Sequence, residues 1–598
     1  MKKFIAMLLT SMLGVGVSLP LLKGAESDNA YAEEEKVQTR DVATSSGNYI
    51  PFNTSNFTAS DGTDLSSWIK PRNEVYWSEQ KRSFNALDPF YNGFDNESWT
   101  GTITSRTFSV DNPYITFTLG GDKSTNTNYV ALCEGDAEIV KVYNNYFDDP
   151  KLALNMALRF IEVPENYRGS EHSLTIKIVD NATGNFGGVT FGCLRINQTD
   201  VEVAKAISIH QNSLERVDFG SNTKNSDART YTIDLYNNQD EYATFRAITL
   251  TDANESFEED NAILNWAYDR EYSVTSSSER FEIDFDNAIS SESTYDWVEK
   301  MPFNKTGNKF FQGNKASTTE TNKYRLISHS FTLSSDYISL KMAGRSATLQ
   351  ILDGDTLDTK AEFKNESIAF KDGGATNVVS GDSRLNTMAR VYLDVSAYKG
   401  QKIAIAIADS DNNVSWGIAH FDEIITKYDS LPTLKLDKIE QAYDSNHFYG
   451  VVRNFYSGNA DTTLGKTIAY LNSHYDTLRM NTNGSLCSLL DSTEVSALLT
   501  TYNSLDSEVK ALVDSAEDYS YGINAGDDYY NHEASICTVG ETVNYLLTHS
   551  NTSSGSNLIK INGEVQTNYT LIIVVLSSLA VVAIAYIFFK KNKKKSAK

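Results

Sequence analysis

One plan is written twice in this chain, and that duplication constrains its fold more than any other feature. SRTFSVDNPYITFTLGG (105–121) matches SHSFTLSSDYISLKMAG (328–344) without a gap. LNMALRFIEVPENYRG (154–169) matches LNTMARVYLDVSAYKG (385–400), again ungapped. IVDNATGNFGGVTF (178–191) and IADSDNNVSWGIAHF (407–421) close the two copies. Earlier, Phe90-Tyr91-Asn92-Gly93 matches Phe310-Phe311-Gln312-Gly313. The openings FTASDGTDLSSW (57–68) and FEEDNAILNW (257–266) set Trp68 against Trp266. Chance does not keep so many blocks in one order, so the chain contains an internal duplication. Two copies are too few for a solenoid, and each is long enough to be a domain.

The repeated blocks read as strands. Ile115, Phe117 and Leu119 alternate with polar residues, as Ile338, Leu340 and Met342 do in the second copy. Leu174, Ile176 and Ile178 match Ile403, Ile405 and Ile407. Period-2 runs at short spacing, split by Gly, Asn and Asp, predict antiparallel β-sandwiches of jelly-roll type. The acidic turns DNATGN and DSDNNVS precede each last strand and tolerate left-handed geometry. The expected fold is mainly β: one sandwich over 56–198, a connecting segment with a helix over 199–254, and a second sandwich over 255–428. Helical spacing and cap residues predict a small α-helical domain over 431–550.

The ends predict export and anchoring. Lys2, Lys3 and an apolar run to Leu22, followed by Ala30-Tyr31-Ala32, read as a signal peptide over 1–32. A polar leader over 33–55 follows. LIIVVLSSLAVVAIAYIFF (571–589) is long enough for one membrane-spanning helix, set at 570–589 after a polar stalk at 551–569. The basic tail KKNKKKSAK at 590–598 marks its cytoplasmic side. The expectation is a single-pass type I protein whose body is extracellular and whose partner at this end is the lipid bilayer. The formal charge of −25 disfavours nucleic acid as a partner. The four cysteines divide into two local pairs, Cys133 with Cys193 and Cys487 with Cys537, as disulfide candidates; four buried thiols are the alternative.

The best candidate site is the acidic turn beside the aromatic-Gly corner. It comprises Asp409, Asp411, Asn412 and Trp416 in copy 2, and Asp180 and Phe186 in copy 1. An indole beside carboxylates and carboxamides suits a sugar, and oxygen side chains at a turn suit calcium. The plain alternative makes Trp416 and Phe186 core plugs. Arg159 and Arg390 recur at one spacing, either to fork onto a polar ligand or to hold a strand by an ion pair. No HExxH, GxSxG or phosphate loop occurs, so no catalytic residue and no cofactor is expected.

LDVSAYKGQKIAIAIADSDNNVSWGIAHFDEI and VDNPYITFTLGGDKS resemble the non-catalytic β-sandwich modules attached to bacterial family 32 glycoside hydrolases, the fructan-cleaving enzymes. FNKTGNKFFQG (303–313) is similar to the opening of those modules. The catalytic β-propeller of such enzymes has no counterpart here. Copy 1 departs from the pattern where Gly192 and Cys193 stand for Asp422 and Glu423. The resemblance implies a bacterial surface protein whose tandem modules bind a polysaccharide or surface glycan. A structural or adhesive spacer is the second reading, and a divergent hydrolase the third.

Overall fold

The structure is a computed structural model. It describes residues 48–521, 534–547 and 558–559, except 73–74, 78–81, 84–85, 97, 122–126, 144–155, 184–186, 214–215, 218–225, 260, 270–271, 273–286, 295–302, 317–322, 345, 366–386, 411–418, 444–445, 453, 475–489, 541–542 and 545–546. The chain divides into two compact units, 1–43 and 44–598, and every described residue lies in the second.

Copy 1 is built from β1 (Tyr49–Ile50), β2 (Phe57–Ala59), β3 (Ile69–Lys70), β4 (Phe90–Asn92), β5 (Gly101–Ser105), β6 (Tyr114–Gly121), β7 (Tyr129–Glu134), β8 (Ala137–Tyr143), β9 (Ala157–Glu162), β10 (Leu174–Asp180) and β11 (Val189–Gln198). A back sheet runs β9-β6-β11-β4-β3, with β1 also on β11. A front sheet runs β8-β7-β10-β5-β2. Ile115, Phe117 and Leu119 from the back meet Ile103, Val130, Leu132, Ile176 and Ile178 from the front in one apolar core. Alternation along each strand sends every second side chain into that core and the others outward.

The two longer helices of the connecting segment are α1 (Asp200–Asn212) and α2 (Ala228–Asn238), followed by one helical turn at Ala243–Arg246. Thr199 and Glu202 close a reciprocal capping box at the start of α1.

Copy 2 contains β12 (Ala267–Tyr268), β13 (Ile289–Ser290), β14 (Phe310–Gln312), β15 (Tyr324–Ile327), β16 (Phe331–Thr332), β17 (Tyr337–Ala343), β18 (Ala347–Asp353), β19 (Thr359–Lys364), β20 (Ala389–Asp394), β21 (Lys402–Asp409) and β22 (His420–Ile425). Its back sheet runs β20-β17-β22-β14-β13 and its front sheet β19-β18-β21-β15-β12. Strand for strand this is the order of copy 1. Single hydrogen bonds recur as well. Ile176 N–H donates to Ser105 Oγ at 2.9 Å, and Ile405 N–H to Ser328 Oγ at 3.1 Å. The last strand bulges in both copies at a left-handed residue, Cys193 (φ 50°) and Glu423 (φ 44°).

Register corrects two of the sequence matches. Ile161 pairs with Ile115, and Leu393 pairs with Ile338, the counterpart of Ile115. Ile161 therefore matches Leu393, and MALRFIEV (156–163) aligns with MARVYLDV (388–395). Val163 N–H donates to Pro113 O and Val395 N–H to Asp336 O, which fixes the same alignment. The extra residue of copy 1 lies after Val163, before the 3-10 turn at Glu165–Tyr167. Arg159 thus corresponds to Val391, and Arg390 to Leu158. At the openings, Phe57 pairs with Ser105, while Ala267 pairs with Ile327. That register makes Trp266 the counterpart of Phe57, not of Trp68.

The helix α1 is wedged between the copies. Val203, Ala204 and Ile207 pack on Ala157 and Leu158 of copy 1's back sheet. Ile209 packs on Ala267, Ile327, Leu352, Ala404 and Ala406 of copy 2's front sheet. From α2 the buried Arg229 donates to Gln211 O (3.0 Å) and Asn212 Oδ1 (2.6 Å) on α1, and to Gly354 O (3.3 Å) on copy 2. One guanidinium therefore ties both connecting helices to the second sandwich.

The C-terminal region is mixed α/β where a helical domain was expected. It contains β23 (Lys435–Tyr443), β24 (Asn446–Val452), β25 (Phe455–Ser457), α3 (Thr463–Ser473), α4 (Ser492–Ser504), α5 (Ser507–Ser515), β26 (Glu517–Tyr521) and β27 (Ala534–Thr538). Its sheet runs β24-β23-β26-β27, and β25 joins copy 2's back sheet in parallel beside β20. Tyr443 pairs with Asn446, so β23 and β24 run antiparallel side by side. Apolar spacing alone does not separate short strands from helices.

Cys133 and Cys193 are free, buried thiols, which corrects the first expected disulfide. Cys133 lies on the front sheet and Cys193 on the back, and facing sheets stand about 10 Å apart, beyond the reach of a disulfide. Cys487 lies outside the described residues, so the second pair does too. Among the described residues no helix is long and apolar enough to cross a membrane. The apolar span 571–589 and the leader 1–32 lie outside them.

Candidate functional sites

The expected corner divides between described and undescribed residues. Asp411, Asn412, Trp416 and Phe186 lie outside the described set. Asp180 and Asp409 occupy equal places, at the ends of β10 and β21, and both are buried. Asp180 accepts a hydrogen bond from Val189 N–H at 3.2 Å and faces the Tyr91 hydroxyl at 3.5 Å. Burial pushes its carboxyl up to about 7 despite those donors. Next to it Asn128 donates to Gly187 O and accepts from Asn181 and Ala182 N–H, bracing both ends of the turn. In copy 1 this acid therefore shapes the corner from inside.

The two arginines hold structure. Arg159 Nη1 crosses the edge of the sandwich to donate to Tyr143 O at 2.8 Å. Arg390 Nη2 pairs with Glu423 Oε2 at 2.7 Å beneath the loop that carries Thr306. Thr306 N–H donates to Asp422 Oδ2 at 2.6 Å, and its hydroxyl donates to Glu423. Lys341 Nζ donates to Asn304 O at 3.1 Å. Burial raises Asp422 to about 8. Burial also works to raise Glu423, but the Arg390 guanidinium outweighs it and holds that carboxyl at about 2. Two acids pushed apart in this way suit acid–base chemistry in an open cleft, yet Asp422 is 0% exposed and Arg390 3%. Copy 1 reaches the same end differently: Asp88 reaches the bulge and accepts from Cys193 N–H at 2.8 Å. An added Cβ at Gly192 would lie 2.9 Å from Asp88 Oδ1, so glycine there makes room for that carboxylate.

Sequence reasoning missed the outer face of copy 1's front sheet. Three other sheet faces carry packed elements. Copy 1's back sheet carries α1, copy 2's front sheet carries the end of α1, and copy 2's back sheet meets the C-terminal core through Tyr392. Among the described residues no hydrophobic cluster is built on copy 1's front face. Outward alternation places Thr58, Thr102, Thr104, Thr175, Lys177, Tyr129, Glu138, Lys141 and Tyr143 there, all half-exposed or exposed.

Glu138, on the edge strand β8, gathers the polar groups of that face. It takes hydrogen bonds from Tyr129 Oη at 3.0 Å and Lys177 Nζ at 3.1 Å, and pairs with Lys141 Nζ at 2.6 Å. The Lys141 ammonium holds it at about 2, with Lys177 and Tyr129 adding to the effect. So placed, Glu138 is an ionised acceptor and has no proton to give a leaving group near neutrality. Tyr129 and Tyr143 stand 5.6 Å apart at 52°, with Lys141 Nζ 4.2 Å from the Tyr129 ring. The face thus joins two aromatic rings to fixed donors, fixed acceptors and a row of threonine hydroxyls.

No known protein family and no curated protein matches this chain. Among solved structures it is similar to a cyclase from Fischerella sp. TAU, with 17% identity, TM-score 0.17, and 25% of this chain and 90% of that one covered. It is similar to the CBM22-1–CBM22-2 tandem of Paenibacillus barcinonensis Xyn10C, with 10% identity, TM-score 0.15, and 63% and 95% covered. The M60 catalytic domain of Clostridium perfringens ZmpB with its CBM51-1 and CBM51-2 domains follows, at 9% identity, TM-score 0.14, and 57% and 34% covered. Distant neighbours of this chain thus include tandem modules of that kind.

Proposed function

We propose that the chain binds a polysaccharide without cleaving it, through the outer face of copy 1's front sheet, and displays that face outside the cell on a membrane anchor. The observation that carries the reading is that, among the described residues, no apolar element packs on this face, while the corresponding face of copy 2 takes up α1. Sugar binding calls for aromatic surface and a few well-placed hydrogen-bonding groups. Tyr129 and Tyr143 supply the first, and Lys177, Glu138 and the threonines supply the second. The apolar leader and the span 571–589 support the surface placement. Copy 2, whose faces carry α1 and the C-terminal core, then acts as scaffold, and this favours a spacer role for that copy alone.

Affinity electrophoresis of the full chain against a panel of soluble polysaccharides tests the proposal. Retardation by at least one polymer is expected, with Tyr129→Ala weakening it roughly tenfold, the loss of one good aromatic contact of about 1.4 kcal/mol. Equal retardation of wild type and Tyr129→Ala would overturn this choice of face.

A further inference from the structure

The rim of copy 1 next to this face carries a second aromatic arrangement. Trp68 and Trp99 are both half-buried, with ring centroids 5.2 Å apart at 59°. Trp68 leans on Tyr91 at 6.1 Å. The Trp99 ring fills the space above Gly101, where an added Cβ would lie 2.3 Å from it. Its Nε1 donates to Asp61 Oδ2 at 3.0 Å. Asp61 is exposed, and Thr63 N–H donates to its other oxygen at 3.0 Å. The Thr63 hydroxyl also donates to Asp61, so of about four acceptor positions at most one stays open toward solvent for a ligand hydroxyl. Ser60 N–H donates to Thr102 O at 2.8 Å, so the rim continues directly from the front face.

Copy 2 is an internal control for whether a sandwich needs this pair. Its register puts Ala288 where Trp68 stands and Tyr324 where Gly101 stands. The Tyr324 hydroxyl donates inward to Ala419 O at 3.2 Å, and the residue is 1% exposed. The same rim can therefore be closed by one buried tyrosine. Copy 1 instead keeps two indoles partly in solvent with a carboxylate at their edge, which a packing role alone does not require.

We propose that Trp68, Trp99 and Asp61 form a sugar subsite for one uncharged pyranose ring of a chain lying on the front face. An indole takes the C–H side of such a ring, and Asp61 accepts from one of its hydroxyls. Asp61, Asp64 and Asp95 line this rim, and Lys70 is paired to Asp95 at 2.6 Å, so a sugar carboxylate is repelled. The subsite rests on the glycan-binding reading above.

The test is tryptophan emission of the full chain titrated with gluco- and manno-oligosaccharides, with oligogalacturonate as the acidic probe. The expected result is a saturable emission change with a neutral series and none with oligogalacturonate. Asp61→Asn and Trp99→Phe, which keep the packing, should weaken it at least fivefold. Tyr129→Ala should be retained roughly tenfold more weakly on polymer yet keep the emission response to a short oligomer. Unchanged affinity in Asp61→Asn and Trp99→Phe overturns the subsite and leaves the front face standing. A response to oligogalacturonate equal to the neutral response overturns the charge argument. No emission change and no polymer retention in the wild type overturns both readings.

Discussion

At the scale of single residues, carboxylates with similar surroundings in the sequence take opposite roles in the fold. Glu138 is an ionised acceptor on an exposed face, while Asp180, Asp409 and Asp422 are buried, and Asp180 and Asp422 hold a turn and a loop. Removing Arg390 leaves Glu423 buried without its counter-charge. Arg390→Met should therefore cost about 3–5 kcal/mol in denaturant unfolding, and the same change at the exposed Lys399 should cost almost nothing. Burial also lowers three histidines, His210 to about 4 and His329 and His420 to about 3. Their unfolded values lie near about 6.5. The folded state therefore holds them neutral, and their contribution is complete above that pH and is lost as pH falls toward 4 and then 3. Asp180 and Asp422, raised by burial, work the other way as pH falls, so the histidine contribution is read by difference: the stability lost between about pH 6.5 and pH 4 should be smaller in His420→Gln than in wild type, and an identical loss in the two would contradict this. None of these environments could be read from the chain, because acidic residues occur throughout it and burial alone separates a ligand contact from a brace.

At the scale of elements, the strands were legible and their exact pairing was not. Alternation in the two ITFTLGG-like runs placed the core faces correctly, and the acidic turns marked where β10 and β21 end. One inserted residue after Val163 then shifted Arg159 against Arg390, and a period of two turns a shift of one into the opposite face. The same limit applies to cysteine. Two cysteines in one module look like a pair on paper, but only the sheet assignment shows that they lie on opposite layers. Register makes Leu352 the counterpart of Cys133 in copy 2, since Cys133 pairs with Thr175 and Leu352 with Ala404. Cys133→Leu should accordingly leave the thermal midpoint within a few degrees, equivalent to less than about 1.5 kcal/mol. A large drop would show that the thiol does more than fill space. At Gly93, in contrast, an added Cβ would lie 2.7 Å from Val189 O and 2.6 Å from Asp180 Oδ2. Gly93→Ala should cost about 1–3 kcal/mol by forcing β4 away from β11.

At the scale of the molecule, the connecting helices decide what each sandwich is free to do. Placing α1 between copy 1's back sheet and copy 2's front sheet uses one face of each copy, and the C-terminal core takes a third. A duplication read from sequence predicts two equivalent sites and a gain in avidity; among the described residues the packing leaves one such face uncovered instead. Arg229→Ala should loosen this joint without unfolding either core, seen as faster proteolysis within 199–254 while both sandwich fragments persist. If the sandwiches are digested equally fast, the joint is not an independent element. Oxidative footprinting of the full chain with and without a retained polysaccharide tests the central claim most directly. The account predicts protection of Tyr129 and Tyr143 on copy 1's front face, with copy 2's strands unchanged. Protection confined to copy 2, or none on Tyr129 and Tyr143 at saturating polymer, would contradict it.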